Sequence, residues 1–420
     1  MRFNPFRPGS IVPPGMFCGR IEEIMALERI LFQTSKGNPN HFLLQGERGI
    51  GKSSLLYYMQ CVATGQILAL DGQKFKFIKV NLELTPANSY VDIIKKLGTE
   101  LQREVASYSG AKELLKTAWS FLKNWEVAGV RYNTPATSLN PEELLDDLTH
   151  TISKTLEEFG GEISGIIVLI DEADKPNESA RLGELLKILT ERLTKKGADR
   201  ICFGLSGLPD VVRKLKSSHE SSPRIFEIFT LQCLSLEERK EVVRSGLRRA
   251  EKENGFAVTI TPEAENWIGW WSEGFPHFVQ QFAHSAFDTD IDNNIDENDV
   301  DKGAFKENGA FQQLGVKYFE EMYFDKINSD EYREVLKAMS QIDIEIKGSW
   351  ISRQQIRDKL DKNEIKMKPT TFNNAVRTLL QRKIIVPKPG SKGQYRFPTT
   401  SFGVWIRGYS QAKIQSAALK

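Results

Sequence analysis

Apolar residues recur along this chain with two different periods, and the alternation between them predicts its architecture. Glu22 to Phe32 carries Ile24, Leu27, Ile30 and Leu31 at helical spacing. The short apolar run His41–Gln45 reads as a buried strand leading into Gly46, followed by a helix near 52–63, a strand over Phe77–Leu82 and a helix near 89–106. From about 107 to 140 no clean period holds; Trp119, Phe121 and Trp125 are interleaved there with Lys116, Lys123 and Arg131. Beyond it the pattern predicts a helix at 141–158, an apolar strand Gly165–Ile170, a helix at 179–196, and further strands at Arg200–Leu205 and Phe226–Leu231. Continuous apolar strands alternating with amphipathic helices imply an α/β fold whose parallel sheet is covered on both faces.

The second half reads differently. Residues 235–287 show helical periods only, which suggests a separate helical lid, and an acidic, Asn-rich connector (288–302) and a helix near 303–325 follow. Tyr332, Val335, Leu336 and Met339 mark a further helix. Ser352–Ile356 opens a second with Leu360 near its end, and Pro369 starts a third carrying Phe372, Val376, Leu379 and Leu380 on one face. Ile384–Val386, a Pro-Gly turn and Gln394–Phe397 then read as a β-hairpin. Three helices and a hairpin are the pattern of a winged helix. The expected organisation is an extended Pro/Gly-rich arm (1–17), a core (18–232), a helical lid (233–302), a linker helix (303–329) and a winged-helix domain (330–420). There are no internal repeats.

Composition adds limits. A chain of 420 residues with 40% hydrophobic and 27% charged positions is an ordinary multidomain globular protein. No run approaches the length of a membrane helix, and the segment after Met1 has no apolar leader-like core. Cys18, Cys61, Cys202 and Cys233 form no paired motif, so a disulfide framework or zinc knuckle is not expected and a reducing cytoplasm is the natural setting. Charge matters more. Residues 330–420 hold 18 Lys+Arg against 8 Asp+Glu, net +10, while the remainder holds 39 against 47, net −8. A basic tail on an acidic body points to a polyanionic partner.

One run carries specific chemistry. Gly46-Glu47-Arg48-Gly49-Ile50-Gly51-Lys52-Ser53 fits G-x-x-x-x-G-K-[ST] between a strand and a helix, with Ser54 following. Glycines let successive N–H groups turn inward around a phosphate, and the helix N-terminus adds positive potential. In that setting Lys52 bridges the outer phosphates of ATP and Ser53 ligates Mg²⁺. The strand Ile166–Ile170 ends in Asp171-Glu172-Ala173-Asp174. Asp171 is then the candidate Mg²⁺ holder, Glu172 the candidate base for the attacking water, and Asp174 a loop residue.

With these motifs the chain resembles AAA+ P-loop ATPases, specifically the branch holding origin-recognition initiators and STAND-like regulatory ATPases, over roughly residues 15–290. Phe17-Cys18-Gly19-Arg20 resembles the family's box before the first helix, whose backbone lines the adenine pocket, which implies that role for Phe17, Gly19 and Arg20. Ile201–Gly207 resembles the sensor 1 strand, implying that Ser206, where many relatives have Asn, touches the terminal phosphate or the water. Ser222–Phe229 is similar to the segment ending in an arginine finger, implying that Arg224 reaches a neighbouring subunit's nucleotide. Gly274-Phe275-Pro276 resembles the lid's G-x-P element and implies that Pro276 lies near the nucleotide; the lid arginine of many relatives has no counterpart on that helix.

In DNA-binding winged helices the third helix enters the major groove and the hairpin meets the backbone. Lys366, Lys368, Thr370, Asn373, Asn374 and Arg377 lie in or near that helix, and Lys388, Lys392 and Arg396 on the hairpin. The expectation is an ATP-dependent switch, homo-oligomeric, that hydrolyses ATP at subunit interfaces and binds double-stranded DNA through its tail. The alternative is a STAND-like scaffold whose tail contacts a protein effector. The spacing Asp288-x-Asp290-x-Asp292 is reminiscent of a calcium loop, but Asn293 stands where such loops need glycine, so a solvated acidic loop is expected.

Overall fold

The computed structural model describes residues 2–108, 140–346 and 350–410. The chain divides into two compact units, Ile11–Gln232 and Met1–Ser10 with Cys233–Lys420.

The first unit is a five-stranded sheet, β1 (His41–Gln45), β2 (Phe77–Glu83), β3 (Gly165–Asp171), β4 (Ile201–Gly207) and β5 (Phe226–Thr230). Every pair is parallel and the order is β2-β3-β4-β1-β5. Ile166 to Ile170 on β3 are all essentially inaccessible, and β4 is buried along its length, as strands covered on both faces must be. Helices Tyr90–Ala106, Pro141–Phe159 and Leu182–Lys195 supply Ile93, Leu97, Leu145, Leu148, Leu185 and Leu189 to one core with Ile78, Val80, Ile166 and Val168. Each such side chain stabilises the unit by about 1.5–3 kcal/mol. Local signals fix the helix starts: Ser89 and Asp92 form a reciprocal capping box, and Asn140 caps a helix with Pro141 at its first position.

The helix expected from 179 begins only at Leu182, because Glu178–Ala180 makes a single tight turn and Arg181 sits at φ 48. Residues 109–139, which contain Trp119, Phe121, Trp125, Lys116, Lys123 and Arg131, lie outside the described residues.

The second unit opens with helices Leu236–Asn254, Pro262–Trp271 and Pro276–Phe287. It is not purely helical as expected. β6 (Thr259–Ile260) pairs in parallel with β7 (Asn294–Ile295), and two-residue strands are too short to leave a period in sequence. The single helix expected near 303–325 is also broken. Glu297–Phe305 ends where Lys306 turns extended and Asn308 adopts φ 58, and a new helix starts at Ala310 and widens over Gly315–Phe319 and Glu321–Asp325.

Helices Asp330–Ile346, Arg353–Lys362 and Pro369–Gln381 follow, with an antiparallel sheet of β8 (Ile351–Ser352), β10 (Gln394–Arg396) and β9 (Val386–Pro387), in that spatial order. A last helix, Thr400–Trp405, buries Phe402 and Trp405 against Phe319, with ring centroids 5.4 and 5.8 Å away. No helix among the described residues is long and apolar enough to cross a membrane.

Candidate active site

Parallel strands deliver their C-terminal ends to one edge of the sheet, where a ligand crevice forms outside them. Register brings three such ends together here. Leu44 of β1 pairs with Ser206 and Gln45 with Gly207, while Ile170 of β3 pairs with Leu205 on the other side of β4. Gly46, Ser206 and Asp171 therefore emerge side by side, and the Gly46 N–H donates to the Gly207 carbonyl at 3.3 Å.

The loop 46–51 turns sharply into the helix Lys52–Ala63. Gly49 (φ 81) and Gly51 (φ 96) occupy left-handed backbone that a side chain disfavours, which is why the motif needs glycine there. Lys52 folds over this loop, its Nζ donating to the carbonyls of Gly46 at 2.9 Å and Glu47 at 3.0 Å. Burial pushes its ammonium below the ordinary lysine range, against the opposing pull of Asp171, Asp174, Glu47 and Glu172. Glu47 and Arg48 are exposed, Ile50 is buried under the loop, and Ser53 and Ser54 begin the helix. The Ser54 hydroxyl accepts from the Val12 N–H at 3.2 Å.

Across the crevice Asp171 Oδ1 accepts from the Ser206 hydroxyl and from the Glu172 N–H at 2.9 Å. The buried Ser206 thus orients Asp171. Ser53 and Asp171 offer only oxygen donors, the set a hard cation prefers. Among the described residues no group of three His, Cys, Asp or Glu could hold a metal by itself. Glu172 is exposed, at φ 52, and its carboxylate is paired with the Lys175 ammonium, which that hydrogen bond holds above its usual range.

Arg20, expected at the base pocket, is 5% exposed and occupied. Its guanidinium donates to the carbonyls of Ile50 and Gln232, both at 2.8 Å, and pairs with Glu23 at 3.3 Å. Its side chain anchors the phosphate loop, and only backbone remains for a base. Phe17 stacks near Tyr58, centroids 5.2 Å apart, beside Gly19 at φ 76. Arg224 is exposed in the turn before β5, at the opposite end of that strand from the crevice. Five paired residues of β1 and β5, roughly 16 Å of strand, separate it from its own phosphate loop.

Asp174, read as a loop residue, has a partner the sequence did not show, and Lys214 was not read at all. Asp174 Oδ1 accepts from the Leu208 N–H at 3.0 Å and so ties the turn after β3 to the turn after β4. Lys214 Nζ donates to the Asp174 carbonyl. The Asp-Glu-Ala-Asp letters held the first partner, but its bond depends on the β3–β4 register, which no local pattern displays.

In the second unit Pro276 opens its helix, and the neighbouring His277 packs against Tyr318 at 5.3 Å. The acidic connector forms no cation cage: Asp290 Oδ1 accepts from the N–H groups of Asp292 and Asn294, both at 3.2 Å, while Oδ2 takes the Arg2 guanidinium. On the tail Lys366, Lys368, Thr370, Asn373, Asn374, Arg377, Lys392 and Arg396 are exposed and Lys388 is half-buried. Asn373 accepts from Arg353, Asn374 from Arg377 at 3.3 Å, and Arg396 lies 4.6 Å over the Trp350 ring.

The AAA ATPase domain family matches residues 16–197. The ORC2 protein of Aeropyrum pernix, in its ADPNP–ADP complexes, aligns with 100% of this chain and 99% of its own at 14% identity, with a TM-score of 0.52. Its ADP form aligns with 98% of each chain at 14% identity and a TM-score of 0.50. A Walker-type ATPase of Pyrococcus abyssi covers 93% of this chain and 96% of its own at 17% identity, with a TM-score of 0.48. At these identities the likeness is one of fold. No curated protein matches the sequence. The fold is that of the P-loop AAA+ proteins, with an AAA ATPase domain followed by a C-terminal helical region, and the chain is an ATPase.

Proposed function

We propose that this ATPase is an assembly-dependent switch that binds ATP with Mg²⁺ on the crevice of the first unit and engages duplex DNA through its basic tail. The observation carrying this reading is the convergence of Lys52, Ser53, Asp171 and Ser206 at the ends of β1, β3 and β4. Lys52 already grips two carbonyls, so a bound triphosphate would replace them with phosphate oxygens at little cost in reorganisation. Ser53 and Asp171 would hold Mg²⁺, with the phosphate oxygens of the nucleotide completing its oxygen shell. When bound, the ion neutralises charge on the phosphate oxygens.

Glu172 is the base in this reading. It must leave Lys175 to orient a water, and both groups are exposed, so solvent screening keeps that pair weak and it opens readily. Arg224 lies at the far end of β5 from its own crevice, which favours action in trans on a second copy and makes turnover depend on assembly. The three helices and antiparallel sheet of the tail are read as a winged helix, with Pro369–Gln381 as the helix that enters the major groove. The scattered cysteines, none of which is in a disulfide, suit a reducing cytoplasm.

Filter binding of duplex DNA at rising salt tests the second half. The expected result is an affinity that falls by about 0.9 log units per phosphate contact for each tenfold rise in salt. Absence of binding at low salt would assign the tail to protein contact instead.

A further inference from the structure

Residues 2–7 do not behave as a loose arm. They lie extended on the lid, and nearly every one is held by a specific group. The Arg2 guanidinium donates to Asp290 Oδ2 at 2.6 Å, to Asn293 Oδ1 at 3.3 Å and to the Phe287 carbonyl, and lies 4.0 Å over the Phe287 ring. The Asp290 carboxylate is fully buried, so this is a paired charge in a low-dielectric place. Asn254 reads the backbone of Phe3 on both sides, accepting its N–H at 2.7 Å and donating to its carbonyl at 3.0 Å. Asn4 donates to the His284 carbonyl at 3.1 Å and to Asp288 at 2.7 Å. The Arg7 N–H reaches the buried Gln280 amide oxygen at 2.8 Å.

The anchor is Phe6, 3% exposed. Its ring fits against the helix Leu236–Asn254 only because residue 246 has no side chain; a Cβ there would come within 2.3 Å of the ring. The opposite wall is Phe287, edge-on at 6.2 Å. A buried carboxylate for a guanidinium, a side-chain amide for a backbone, and a slot for an aromatic ring are the parts of a peptide-recognition site.

We propose that the lid carries a recognition groove for an extended Arg-Phe-Asn-x-Phe segment, with residues 2–7 of this chain as its occupant in cis. The strap runs on from Arg7 into Val12, whose N–H bonds to Ser54 of the helix that begins at the phosphate loop. The chain passes from the unit that holds the strap into the other at residues 10–11. Recognition does not rest on the reading of the nucleotide site; any consequence for turnover does.

Hydrogen exchange on the full chain tests the groove without nucleotide. The Phe3 and Arg7 amides should be protected, and Asp290→Asn should speed their exchange by about tenfold or more, since it replaces a charge-assisted pair with a neutral one. Gly246→Ala should do the same by displacing Phe6; alanine favours the helix it joins, so misfolding does not mimic the result. In the chain lacking residues 2–7, a labelled peptide Arg-Phe-Asn-Pro-Phe-Arg-Pro-Gly-Ser should bind saturably, and Asp290→Asn should abolish that binding. Unprotected strap amides in the wild type, or exchange unchanged in both variants, would overturn the groove. A dimer that dissolves on deleting residues 2–7 would overturn the occupancy in cis and assign the groove to a second copy.

Discussion

Two of the chain's cationic surfaces are built by opposite rules. At the phosphate loop a single lysine is half-buried, held by two carbonyls and surrounded by carboxylates, and the backbone around it is forced by glycines at φ 81 and 96. On the helix Pro369–Gln381 and the adjoining hairpin, the candidate DNA contacts are almost all exposed and loosely tied. A preorganised cation discriminates between ligands and between states of one ligand. Solvated cations supply attraction that salt can screen. If chemistry belongs to the first surface and docking to the second, as proposed, substitutions at the two should fail in different ways.

The largest expected effect is at Arg224. If it completes a neighbour's site, Arg224→Ala should lower turnover by roughly 10³–10⁵. Nucleotide affinity of the isolated chain should be unchanged, as titration calorimetry would read. Weakened affinity in the monomer would place Arg224 at its own crevice and remove the need for assembly. Glu172→Gln comes next: turnover should fall by roughly 10²–10⁴ with ATP still bound, because only the base is lost. Normal single-turnover hydrolysis by that variant would transfer the role to another group.

Acid should act on the first unit through His41. Burial pushes its imidazole down to about 4, and its Nδ1 accepts from the Phe203 N–H at 3.2 Å, which requires the neutral ring. Since the folded value lies below the unfolded one near 6.5, the unfolded state binds the proton first as pH falls. Its contribution is intact above about pH 6.5 and is lost between there and about 4, amounting to about 3 kcal/mol. Urea titrations at pH 7 and 4.5 should show the wild type losing more stability than His41→Gln, which keeps an acceptor; equal losses would contradict a buried neutral ring. The smallest effect belongs to the second surface. Charge reversal at Lys368, Arg377 and Lys392 should flatten the log–log salt dependence of DNA binding by about three units and leave ATP turnover without DNA unchanged.

What could be read in the sequence follows the same division. The helix Lys52–Ala63 and the strands β1 and β3 were legible because local demands fix them: glycine where φ is positive, unbroken apolar runs where both faces are covered. The pairing of Ser206 with Asp171 was not, since it depends on the register of β3 and β4. The motif points to the backbone at Arg20, while the task of its side chain was not legible, since its partners are carbonyls at 50 and 232 that only the fold brings to it. Proline and glycine show an extended arm but not what holds it, since Asp290, Gln280 and Gly246 lie more than two hundred residues away. The break at Lys306–Gly309 was missed because an Asn in left-handed backbone leaves no mark in a periodicity.

The account turns on the crevice beside β1, β3 and β4. Titration calorimetry of the full chain with ATP and Mg²⁺ addresses it directly, with Lys52→Ala as the control. The expected result is saturable binding of one nucleotide per chain, weakened about a hundredfold or more when the ammonium is removed. A folded wild-type chain that takes up no nucleotide, or a Lys52→Ala variant that binds as tightly, would contradict it.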